Sequence, residues 1–197
     1  AGSVADRAFK ARRYMDRGYG MLLAEYRGFG GNPGNPSEEG LYADARAWLK
    51  FAAAQSLGPD KTVLYGESLG SGPAVRMAWE LAQKKTPVAA LVLEAPYTTL
   101  ADVAQHHYPV VPAKWLVRDR FDSAAIISQI NTPLIVVHGT LDGTVPIKFG
   151  QALFNAASEP KSAHWIKLAG HNNLYDSPTV EVIDGFLARA LASDSGK

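Results

Sequence analysis

Five short apolar runs separated by helical patterns constrain this chain of 197 residues more than any other feature. They are Gly20 to Tyr26, Thr62 to Tyr65, Val88 to Glu94, Leu134 to His138 and His164 to Leu168. Several are near-continuously apolar, as strands buried on both faces must be, and their alternation with helices is the signature of a mostly parallel sheet covered on both sides. The expected architecture is α/β in a single domain over residues 1–197, without an internal repeat or a linker. One helix is clear between the first two runs. Leu41, Ala45, Trp48, Leu49 and Ala52 share a face, Arg46 and Lys50 point outward, Ser37 is the N-cap and Gly58-Pro59 the stop. The last helix opens at Ser177-Pro178 and buries Val180, Ile183, Leu187 and Leu191.

Two segments break the rhythm. Residues 28–36 hold four glycines and two prolines in a loop that leaves the C-terminal end of a strand, where α/β proteins place their sites. Residues 97–131 are longer and mixed, with Tyr108-Pro109-Val110-Val111-Pro112 interrupting any helix, and read as a short excursion over the site.

The chemistry concentrates at Gly66-Glu67-Ser68-Leu69-Gly70. A serine between two glycines, after a β-type run and before a helical stretch from Ser71 to Lys84, is the form of a nucleophile at a sharp strand-to-helix turn. Gly66 and Gly70 are expected where neighbours leave no room for a Cβ. Serine is a weak nucleophile until a base takes its proton, and the base needs an acid to fix its tautomer. His171 is the expected base: it follows the last strand in Leu168-Ala169-Gly170-His171-Asn172 and leaves the sheet on the same edge as Ser68. His138 reads as a loop-organising residue, His106 and His107 as solvated, and His164 as lying at the far edge of the sheet. Asp142, beyond a buried strand, is the expected acid, against the alternative of a turn aspartate beside Gly143. Glu94 is the reserve acid. The amide of Leu69 is one expected donor to an oxyanion.

Composition narrows the partners. Hydrophobic residues make up 47% and charged residues 20%, and a net charge of +1 gives no electrostatic case for nucleic acid. With no cysteine, thiolate metal sites and cysteine nucleophiles are excluded, while the compartment stays open. No stretch approaches the ~18 apolar residues of a membrane span. The reading invokes no cofactor and no metal; the expected partner is a small-molecule or acyl-group substrate.

The residues resemble the α/β-hydrolase superfamily, and within it the BEM46-like and ABHD13/ABHD17-like serine hydrolases. The resemblance rests on Glu25-Tyr26-Arg27-Gly28-Phe29-Gly30, Pro36-Ser37-Glu38, Tyr65 to Gly72, Leu93-Glu94-Ala95-Pro96-Tyr97, His138-Gly139 with Asp142 and Val145-Pro146, and Gly170-His171-Asn172. It implies the α/β-hydrolase fold, esterase or thioesterase activity on acyl groups, and a Ser68–Asp142–His171 triad in the chain order of that family. It also implies a strand and a His-Gly-Asn type turn immediately before Ala1-Gly2-Ser3, supplying the second oxyanion amide. That strand belongs between the runs at 20–26 and 62–65, so the sequence is expected to lack roughly the first three strands and to leave a central slot. Tyr26, Phe29 and Tyr97 are the candidates for an acyl-pocket wall, and Trp115 with residues 108–112 for holding a longer chain. A non-catalytic binding module and a serine aminopeptidase remain open alternatives.

Overall fold

The computed structural model describes residues 4–192. The junction at residues 1–3, where the resemblance places the His-Gly-Asn type turn just upstream, lies outside them. After a short 3-10 turn come α1 (Ala8–Met15), an extended stretch, α2 (Glu38–Ala54) and β1 (Val63–Glu67). Then follow α3 (Ser71–Gln83), β2 (Ala90–Glu94), α4 (Leu100–His107), the single turn α5 (Ala113–Leu116) and β3 (Leu134–Gly139). α6 (Ile147–Ala156), β4 (Lys161–Ile166) and α7 (Thr179–Ala192) complete the order.

The four strands pair in sequence order, β1-β2-β3-β4, and every pairing is parallel. In β2 and β3 all residues are buried, and alternate side chains serve opposite faces. Leu91, Leu93, Leu134 and Val136 pack with Ala74, Val75 and Ala78 of α3 and Leu153 of α6. Ala90, Val92, Ile135 and Val137 pack instead with Val180, Ile183, Phe186 and Leu187 of α7 and with Tyr14 of α1. Both faces are therefore covered, which is why these strands are apolar at every position rather than alternating. A third cluster joins α2 to the excursion through Leu41, Tyr42, Met77, Tyr97, Val103 and Phe121.

The expected strand at Gly20 to Tyr26 does not form. This segment is extended but belongs to no ladder among the described residues. A strand needs a hydrogen-bonded neighbour, and the free edge of β1 is separated from residues 21–26 by a cleft of about 550 Å³ that both line. The segment is held by side chains instead: the Trp48 indole donates to the Glu25 carbonyl at 3.1 Å, and Asp44 accepts from both the backbone and the guanidinium of Arg27.

Other boundaries move by a few residues. Ser37 caps α2 as expected, accepting from the Gly40 amide at 3.1 Å. The helix ends before Gly58-Pro59, because Ser56 already turns left-handed at φ 63°. The last strand occupies 161–166, and Leu168 lies beyond it with φ 63°. Leu93→Ala, which empties a fully buried position between β2 and the α3 face, is expected to cost ~2–5 kcal/mol in urea unfolding. Leu168→Ala, at a position 69% exposed, should stay within about 0.5 kcal/mol of the parent.

Candidate active site

Because all four strands run parallel, their C-terminal ends and the loops that follow them gather on one edge. β1 delivers Ser68, the loop after β3 delivers Asp142, and the loop after β4 delivers His171.

Ser68 holds a left-handed backbone at φ 50°, sparsely populated for a residue with a Cβ, as the first residue of the 3-10 turn that follows β1 directly and leads to α3. The Ser71 hydroxyl donates to its carbonyl at 2.7 Å and braces the turn. A Cβ on Gly66 would lie 2.7 Å from both the Ala74 Cβ and the Ser71 Cα, so that glycine is required by the approach of α3. Gly70 is not required for the expected reason: a Cβ there meets nothing within 4 Å, and the residue lines the cleft.

The relay is continuous. His171 Nδ1 donates to Asp142 Oδ2 at 2.7 Å, and this leaves Nε2 to accept from the Ser68 hydroxyl at 3.1 Å. Asp142 has no exposed side-chain surface. Its Oδ1 accepts from the Thr144 and Val145 amides at 2.8 Å each, and His138 Nε2 stands 3.3 Å from Oδ2. Burial pushes the Asp142 carboxyl up, but the hydrogen bonds from His138, His171 and the Val145 amide outweigh it and hold the acid well below the usual carboxylate range. One oxygen of Asp142 thus serves the turn and the other meets His171.

His138 organises this loop as expected. It is fully buried, and its Nε2 donates to the Val145 carbonyl at 2.8 Å. Its ring fits because α6 carries Gly150, where a Cβ would lie 2.3 Å from Nδ1. A glycine inside an otherwise apolar helical pattern was the available signal for that contact.

Glu94, the reserve acid, is corrected. It is buried and engaged elsewhere, with Oε1 on Lys10 Nζ at 2.7 Å and Oε2 accepting from the Tyr65 hydroxyl. Burial raises its pKa. Lys10 also reaches Glu67 at 2.7 Å, and Arg7 grips Glu67 through Nε and Nη2 at 2.8 and 2.5 Å. Burial opposes ionisation of Glu67, but the two cations outweigh it and lower its pKa. This network beside Ser68 was not legible in sequence, because its partners lie up to 84 residues apart.

The cleft that exposes Ser68 and His171 is walled by Tyr26, Phe29, Leu69, Thr144 and Asn172, with α1 and residues 21–25 opposite. Tyr26 and Phe29 are thus part of the wall of this cleft. Burial pushes the Tyr26 phenol up to about 12, which keeps it a neutral hydroxyl. Tyr97 does not line the cleft. It is fully buried behind the turn, donating from its hydroxyl to the Leu69 carbonyl at 3.2 Å. Trp115 and residues 108–112 also lie away from the cleft lining. Among the described residues no cluster of His, Asp and Glu is placed to hold a metal ion, and no helix is long and apolar enough to cross a membrane.

Comparison with known proteins bears on the family and the fold. The family model for the alpha/beta hydrolase fold matches residues 8–126. An uncharacterized protein of Mycobacterium tuberculosis is 39% identical over 188 residues, covering 93% of this chain and 63% of its own. The lysophosphatidylserine lipase ABHD12 of Danio rerio is 30% identical over 197 residues, covering 86% of this chain and 50% of its own. The chain thus spans between half and two thirds of the length of these relatives. Among solved structures, an alpha-beta hydrolase from Vibrio vulnificus superposes with a TM-score of 0.76 at 23% identity, over 93% of this chain and 70% of that one. The parallel sheet, the sharp turn at Ser68 and these matches together show that the chain belongs to the α/β-hydrolase family, in its ABHD branch.

Proposed function

We propose that the chain is a serine hydrolase that cleaves carboxylic ester or thioester bonds of acyl substrates through an acyl-enzyme. The observation that carries this reading is the unbroken relay from Ser68 through His171 to Asp142, opening into a cleft. The name of the zebrafish relative, a lysophosphatidylserine lipase, supports an acyl ester as the substrate class.

In this reading Ser68 Oγ attacks the acyl carbonyl while His171 Nε2 takes its proton. The imidazolium is stabilised by Asp142, which stays ionised. Negative charge develops on the carbonyl oxygen and is met by the Leu69 amide, the first past the nucleophile at a helix start, where backbone N–H groups lack partners within the helix. Collapse expels the alcohol or thiol, which takes the proton back from His171. A water, deprotonated by the same nitrogen, then attacks the acyl-Ser68 carbonyl; the acyl–Oγ bond breaks, Ser68 Oγ takes the proton back from His171 and the acid is released. Tyr26 and Phe29 form the wall for the acyl group, and Tyr97 holds the Leu69 carbonyl from behind, steadying the amide plane on the other side of that residue.

A fluorophosphonate probe should label Ser68, and Ser68→Ala should abolish the label; an unlabelled, folded chain would overturn the proposal in favour of a binding module. Ser68→Ala and His171→Ala should each lower kcat on p-nitrophenyl esters by roughly three orders of magnitude or more, with the double variant little worse than either. Faster turnover of aminoacyl anilides than of esters would assign a peptidase instead. Asp142→Asn should cost at least roughly a hundredfold in kcat. A rate within a few fold of the parent would remove Asp142 from the relay.

Asp142 also predicts an acid dependence of stability. Its folded pKa lies below the unfolded value of about 3.9, so its contribution is complete above that value and is lost as pH falls toward the folded one. The stability difference between the parent and Asp142→Asn, measured by urea unfolding, should be constant from neutral pH to about 5 and should shrink below about 4. A difference that persists unchanged into strong acid would contradict the assignment.

A further inference from the structure

The loop between α4 and α5, with α5 itself, leaves an unusual set of side chains in solvent. Tyr108 is 63% exposed, Val110 94%, Val111 39%, Trp115 89% and Leu116 65%. Single exposed apolar residues are ordinary, but this many in one short stretch mark a surface that meets something apolar. The stretch is also held in shape. Gln105 Nε2 bonds the carbonyls of Tyr108, Pro109 and Val111 at 3.3, 3.2 and 2.9 Å, and its Oε1 accepts from the Lys114 amide at 3.3 Å. Pro109 and Pro112 restrict the backbone further. A stretch braced in this way presents its apolar side chains instead of folding them under.

Its charge pattern identifies the occupant. From Val103 to Arg118 the sequence contains no aspartate or glutamate, while Lys114 and Arg118 lie within it. Lys148 adjoins through His106 Nδ1 at 2.9 Å. Lys114 is paired with Asp102 at 2.9 Å and Asp119 accepts from the Glu38 amide at 2.7 Å, so Arg118 and Lys148 are the cations this side presents beyond that pair. Trp and Tyr prefer the boundary between water and hydrocarbon, and flanking cations favour lipid phosphates.

We propose that this tip is a docking site for a phospholipid bilayer surface. Trp115, Leu116 and Val110 enter the headgroup boundary, and Arg118 and Lys148 face the phosphates. The tip is joined to the cleft wall through the end of α4, where His107 Nε2 bonds the carbonyl of Thr144, a residue that lines the cleft, at 2.8 Å. Docking would therefore bring the cleft to the surface where long-chain acyl esters reside, a consequence that rests on the proposed hydrolase activity; the docking itself does not.

The test is cosedimentation of the 197-residue chain with vesicles of equal parts phosphatidylcholine and phosphatidylglycerol. The parent chain should bind, and a variant carrying Val110→Ser, Trp115→Ser and Leu116→Ser should bind at least roughly tenfold more weakly. Its circular dichroism and Tm should match the parent, since these side chains stand in solvent. Brominated lipid should quench part of the parent's tryptophan emission and much less in Trp115→Phe. Absence of parent binding, or equal binding by the triple variant, overturns the proposal. So does a dimer in gel filtration that the triple variant dissolves without any vesicle binding, which assigns the tip to a second copy. Turnover of a water-soluble short-chain p-nitrophenyl ester is measured alongside. Vesicle binding without turnover leaves docking standing and removes the hydrolase reading, whereas turnover without vesicle binding does the reverse.

Discussion

The structure depends on the close approach between β1 and α3. The chain must leave a buried strand, expose one side chain and enter a helix that packs back on the same sheet, all within a few residues. Only a left-handed residue turns that sharply, and only a glycine two positions before it lets α3 come within contact distance of the strand. The left-handed backbone at Ser68 costs on the order of 1–3 kcal/mol, and it persists because packing on both sides over-determines it. From that turn follow the position of the serine, the direction of α3 and the covering of one face of the sheet.

Parallel pairing does the rest of the assembly. Strands that run the same way end on the same edge, so groups far apart in the chain meet there without any long-range design in the loops. The loop after β3 has an additional duty. Asp142 accepts from two backbone amides through one oxygen and from His171 through the other, so the contacts that shape the turn also aim the acid. Glu67 and Glu94 are bridged by Lys10, and Arg7 clamps Glu67, which ties α1 and the turn before it to the ends of β1 and β2. An ion-pair network of this kind is held in place by the cost of leaving any one buried charge alone.

Much of this was readable from residue types. Ser68, His171 and Asp142 stood out because the chemistry admits few substitutes and because each follows an apolar run that could only be a strand. Four of those runs are strands, and the buried faces of α2 and α7 carry residues the spacing identified. The run at Gly20 to Tyr26 shows where local reading stops. Its composition suits a strand, yet a ladder is a property of two segments, and the neighbouring edge of β1 faces a cleft. Tyr97 shows the same limit for a side chain: an aromatic after a strand suits a pocket wall, but it is buried behind the turn with its hydroxyl on Leu69.

The sequence by itself determined the α/β class, the sharp turn at Gly66 to Ser68 and the two side chains, Asp142 and His171, that line up with it. These follow from steric and chemical requirements that act within a few residues. Tertiary structure alone decided that Gly66 and not Gly70 is sterically obligatory, that Glu94 belongs to Lys10 and Tyr65, and that Tyr97 lies outside the cleft. Each of those outcomes depends on which distant atoms arrive at a given point, and close packing settles that only once the whole sheet and its helices are in place.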